Sequence, residues 1–106
     1  MRTTTVLSSD ELASLARLGQ TIRLARLRRN LTQAAFAERM GVGRPSVVAI
    51  ENGRPGVAVG ILLKALTVLG YTERLGEIVA ADPIGDDMDA VLGRRRSRRS
   101  AHVADF

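Results

Sequence analysis

Between Thr32 and Gly53 the sequence carries two short amphipathic patterns with almost nothing between them, and that spacing restricts the fold more than any other feature. Thr32 offers an N-cap oxygen, Phe36, Ala37 and Met40 share one helical face, and Gly41 supplies a left-handed stop. Only Val42-Gly43-Arg44 intervene before Pro45, which a first helical turn tolerates; Val47, Ile50 and Glu51 then share a face up to Asn52-Gly53. Two short helices are therefore expected on either side of a tight, glycine-containing turn. Phe36, Ala37, Met40, Val42, Val47 and Ile50 supply the inward positions, and Ala37 is small enough to let the helices approach. The outward positions Arg44, Pro45, Ser46, Val48 and Ala49 are left free of the core.

The flanking segments are helical in pattern as well. Ser8-Ser9-Asp10-Glu11 precedes Leu12 and Leu15 as an N-terminal signal, predicting a short lead-in helix from near Ser9 that Gly19 is placed to interrupt. A second pattern, Leu18, Ile22 and Ala25, predicts a helix ending near Asn30, with Asn30 as a left-handed cap. From Val57 to Leu69 the apolar positions Ile61, Leu62, Ala65, Leu66 and Leu69, widened by Val59 and Leu63, cover more of the circumference than one core contact requires. Val59 and Leu63 are therefore read as a dimer interface. Thr72 starts a final short helix carrying Leu75, Ile78 and Val79. Asp82-Pro83-Ile84-Gly85 reads as a boundary, followed at most by one or two turns over Asp86 to Leu92 and then a tail.

Composition agrees with packed helices. The chain has 106 residues, and its only aromatic residues are Phe36, Tyr71 and Phe106, so the core must be built from aliphatic side chains. The expected architecture is all-α, five helices, with an N-terminal lead-in at 1–14, a folded domain at 15–81 and an acidic then arginine-rich flexible tail at 82–106. Having no cysteine, the chain cannot form disulfides or thiolate metal sites, and a cytoplasmic location is the simplest expectation. No targeting segment or membrane span is expected. Residues 17–54 hold eight arginines against Glu38 and Glu51, whereas 73–89 hold six carboxylates against Arg74. Arg94, Arg95, Arg96, Arg98 and Arg99 follow as a basic block. A basic folded half suits a polyanion.

The unbroken string from Leu31 to Gly53 resembles the helix-turn-helix of the Xre/Cro family, which includes the lambdoid phage repressors, and the likeness in helical plan runs from about Leu18 to Val79. The resemblance implies a lambda-repressor-like fold that reads double-stranded operator DNA, with the second motif helix in the major groove. Arg44 is then the first choice for direct readout, since a guanidinium can donate twice to one guanine; a phosphate clamp is its alternative role. Gly43 opens the reading face, Ser46 can meet a phosphate or a base edge, and Pro45, Val48 and Ala49 can meet thymine methyls. Gln33, in the first turn of the first motif helix, matches a phosphate-gripping position. Asn52 and Arg54, with Arg29 beside them, are further phosphate candidates. Arg26 and Glu51 stand where the family implies a partly buried ion pair, which makes Arg26 structural.

Downstream, Asn52-Gly53-Arg54-Pro55-Gly56-Val57, followed by Gly60, is similar to the linker and fourth helix of HipB-type antitoxins. That likeness implies a homodimer that represses its own operon and holds a HipA-like kinase toxin inactive. A stand-alone regulator, such as a phage repressor or restriction-modification controller, is the alternative, and a protein-binding inhibitory module that reads no DNA is a third. Nothing in the sequence assembles a catalytic site, a metal site or a cofactor site: His102 is the only histidine, and Asp82, Asp86, Asp87 and Asp89 lack the glycine and terminal glutamate of a calcium loop.

Overall fold

The computed structural model describes residues 6–97, with 94–97 as backbone alone. Five α-helices and one 3-10 helix follow in order: α1 Ser9–Arg28, α2 Gln33–Met40, α3 Arg44–Glu51, α4 Val59–Leu69, the 3-10 helix Thr72–Glu77, and α5 Pro83–Ser97. There is no strand among the described residues. The chain divides into two compact units, one reaching to Leu75 and the other starting at Gly76.

In the first unit, one rule ends four helices. Asn30 (φ 56°), Gly41 (77°), Gly53 (69°) and Gly70 (96°) each adopt the left-handed conformation just beyond a helix. In each case the following amide reaches back to a carbonyl five residues earlier: Leu31 to Arg26, Val42 to Ala37, Arg54 to Ala49, and Tyr71 to Leu66. This double-bonded stop satisfies the last carbonyls and turns the chain sharply, so short helices can fold back on one another. At the other ends, Ser8 forms a complete capping box with Glu11, and Thr32 Oγ1 accepts from the Ala35 amide at 3.0 Å. Thr32→Ala should therefore destabilise the protein by about 1 kcal/mol, measurable as a fall in melting temperature.

The α2, α3 and α4 helices pack around Phe36 and Val47, which are fully buried, with Ile22 and Leu31 closing the core from the α1 side. Met40, Ile50, Ala65 and Leu69 complete it. Only three residues, Gly41 to Gly43, separate α2 from α3, and Val42 packs on the core from within that turn.

Several expectations need correction. Gly19 does not interrupt α1, which runs unbroken where a lead-in and a separate helix from Leu18 were expected. The glycine serves close approach instead. A Cβ there would sit 2.5 Å from the Glu51 carbonyl oxygen and 2.6 Å from that of Ile50, so α1 can touch the end of α3 only without a side chain. Gly53 answers from the opposite side, where a Cβ would lie 2.8 Å from the Ala16 backbone. Leu18 is exposed rather than inward. The α4 helix starts at Val59, not Val57. Thr72–Glu77 forms a 3-10 helix, and Ile78 and Val79 lie exposed beyond it. The one or two turns expected over Asp86 to Leu92 are a helix of 15 residues, α5, whose backbone continues through Arg94–Ser97 where a tail was expected. Arg98, Arg99 and His102 lie outside the described residues. Among those described, no helix is long and apolar enough to cross a membrane.

Candidate nucleic-acid interface

The α3 helix is held by one side and bare on the other. Val47, Ile50 and Glu51 are buried, whereas Arg44 and Pro45 are exposed and Ser46, Val48 and Ala49 are half-exposed. Gly43 is its N-cap and contributes no side-chain bond, so the first turn's amides are not covered by a capping side chain. Five of the candidate residues, Arg44, Pro45, Val48, Ala49 and Arg54, line a single open cleft of ≈ 440 Å³. A second concavity adjoins it, walled by Pro45, Ser46 and Ala49 and by the Arg54–Ala58 loop. Asn52 is exposed at the C-cap of α3.

Behind this face lies a polar chain that joins all three helices. Arg26 donates to Glu51 through Nε at 2.6 Å and through Nη2 at 3.0 Å, and both side chains are almost wholly buried. The third nitrogen of the same guanidinium, Nη1, donates to the Leu31 carbonyl at 2.7 Å, so the turn after α1 is tied to the same group. Gln33 Nε2 donates to Glu51 Oε1 at 3.0 Å, and Gln33 Oε1 accepts from Arg44 Nη2 at 3.1 Å and Nε at 3.3 Å. The surface arginine of α3 is thus wired through one amide to a buried ion pair. Gln33 keeps one N–H unused in this chain, so a phosphate contact remains open to it.

Burial alone would raise the pKa of Glu51. The hydrogen bonds from Arg26 and Gln33, with the positive charges of Arg26 and Arg23, outweigh burial and hold the carboxyl below its ordinary value. Glu51 therefore remains an anion, which is the state that the Arg26 fork and the Gln33 amide require.

The role of Gln33 as a link was not legible in the sequence. Its first-turn position was, but the meeting of the α2 start with the α3 end depends on the angle of the turn between them. Arg29, a further phosphate candidate, also has a part in the fold. Its Nη1 donates to the Ala25 carbonyl at 2.7 Å and its Nη2 to the Leu69 carbonyl at 2.9 Å. Tyr71 lies under both Arg29, at 5.8 Å from its ring centre, and Arg74, at 4.0 Å. Arg29 is a clasp between the ends of α1 and α4. Val59 is 66% exposed and lines a small groove with Leu15, Leu18, Val57 and Leu62; Leu63 is half-buried.

Residues 22–75, just over half of the chain, match a family model described as helix-turn-helix. The match takes in α2, the turn, α3 and α4, and it starts inside α1. No curated protein matches the chain.

Proposed function

The chain belongs to the helix-turn-helix family, and we propose that it is a transcriptional repressor that reads a specific double-stranded DNA sequence with α3. The observation that carries this reading is the open outer side of α3, where Arg44, Pro45, Val48, Ala49 and Arg54 line one cleft while Val47 and Ile50 anchor the helix from behind. A helix so held can enter a major groove with its N-terminal residues leading. Arg44 then reads a base, Gly43, Pro45, Ser46, Val48 and Ala49 complete the reading face, and Gln33, Asn52 and Arg54 hold phosphates.

A single module of this size buries only about 600–1,000 Å² on DNA, so specificity calls for two half-sites and two copies. The exposed Val59 and the half-buried Leu63 are the proposed contact between copies, because an apolar face left open on a packed helix is stabilised by covering it. The finer reading is that of an antitoxin that represses its own operon and binds a HipA-like kinase toxin. Its support is the Pro55-Gly56-Val57 linker ahead of α4. Co-purification with the product of an adjacent kinase gene would favour the antitoxin; a lone gene would favour a stand-alone regulator.

Footprinting on the DNA upstream of its own gene is the direct test. The wild-type chain should protect two half-sites about one helical turn apart. Equal affinity for that DNA and for an unrelated duplex would overturn the reading and favour an inhibitory module that uses the scaffold without reading DNA.

A further inference from the structure

We propose that α5 is a self-association helix that takes α5 of a second copy of this chain, antiparallel, along its apolar stripe. Ile84, Met88 and Val91 are spaced four and three residues apart and so share one face, with Leu92 beside it. All four are open to solvent in the single chain, at 75%, 58%, 80% and 41% exposure. The helix begins on a firm cap, with Asp82 Oδ1 accepting from the Gly85 amide at 2.9 Å and Pro83 as its first residue. A helix of 15 residues that includes Gly85 and Gly93 is marginal in water unless one face is covered.

Charge selects both the occupant and its direction. Asp82, Asp86, Asp87 and Asp89 occupy the N-terminal end, and Arg94, Arg95 and Arg96 occupy the C-terminal end. A foreign acidic or basic helix complements one end and repels the other. A parallel copy sets acid beside acid and places position 95, which falls on the seam, next to its own counterpart. Only an antiparallel copy brings each acidic end to a basic one. With Met88 across from Val91 of the second copy, position 84 lies across from position 95. Positions 87 and 94, opposite in charge by sequence, then flank the seam on the same side, and the two-fold axis repeats their juxtaposition. This contact adds to the one proposed at Val59 and Leu63, and it does not depend on DNA being read.

Sedimentation equilibrium of the full chain tests it, with circular dichroism as the check on folding. Asp87→Arg and Arg94→Asp should each weaken association by about fivefold, because each makes two like-charge pairs, and an equimolar mixture of the two should restore it. The chain has no cysteine, so direction can be read by oxidation: Ile84→Cys alone should not cross-link, whereas Ile84→Cys/Arg95→Cys should. Association indifferent to both charge reversals but abolished by Val59→Asp/Leu63→Asp would overturn the α5 pairing and leave the α4 contact standing. Cross-linking by Ile84→Cys alone would overturn the antiparallel direction, and a wild-type chain that stays monomeric would overturn both contacts.

Discussion

Arg26→Ala is expected to lower the unfolding free energy by about 3–5 kcal/mol, the range for removing one partner of a buried ion pair. The size follows from what the change leaves behind rather than from the attraction it removes. Glu51 would keep its charge in a site where its side chain is 3% accessible, with Gln33 as its remaining hydrogen-bond donor. The Leu31 carbonyl would lose its side-chain donor in the same step. Urea denaturation should show a lower midpoint with an unchanged slope. Adding Glu51→Leu to Arg26→Ala should then raise stability again, since an apolar residue in that place is less costly than an unpaired carboxylate. A loss under 1 kcal/mol for Arg26→Ala would mean that water reaches the pair and that the polar chain behind α3 does not hold it in place.

The same site sets an acid limit. Because the folded pKa of Glu51 lies below its unfolded value of about 4.3, its ionised form favours the folded state above that pH. That contribution disappears as the pH falls through the lower, folded value. In Arg26→Ala the balance reverses, because burial then acts with far less to oppose it and the carboxyl is pushed upward. The stability difference between wild type and Arg26→Ala should therefore narrow as the pH is lowered from 7 toward 4.

In the helix-turn-helix itself, what depends on local order was legible in the chain. The Gly41 stop, the Thr32 cap and the faces of α2 and α3 all come from residues within a turn of one another. Two misreadings have physical causes. Gly19 reads as a break between two helices, whereas its role is to let α1 touch the α3 carbonyls, a contact between residues more than 30 positions apart. Asp82-Pro83 was read as a boundary, yet Asp at the N-cap with Pro in first place is also how a helix starts. The same two residues can therefore end a domain or open a helix, and only the exposed stripe behind them distinguishes the cases. At the candidate interface, the Arg26–Glu51 pairing was implied by the family likeness. The Gln33 link was not, because it depends on how three helix ends converge.

Arg44→Ala should reduce discrimination at one base pair of each half-site by about 1–3 kcal/mol, up to roughly a hundredfold in relative affinity, and leave the other positions nearly unchanged. The hydrogen bonds of the free structure leave part of the guanidinium available for such a contact. Of the five N–H groups of a guanidinium, Nε and one on Nη2 are directed to Gln33 Oε1, leaving the Nη1 pair and the second Nη2 hydrogen for a base. A guanine can then be met along the remaining edge while Gln33 holds the arginine from behind, which limits the side-chain entropy lost on binding. Arg54→Ala is the contrasting variant. On an exposed loop and lining the same cleft, it should weaken all sequences alike and reduce the salt slope by about one. Competition binding on a panel of single-base operator variants at two salt concentrations separates the two patterns. If Arg44→Ala instead weakened every sequence equally and lowered the salt slope, Arg44 would be a phosphate clamp, and the reading of bases would fall to Ser46, Val48 and Ala49.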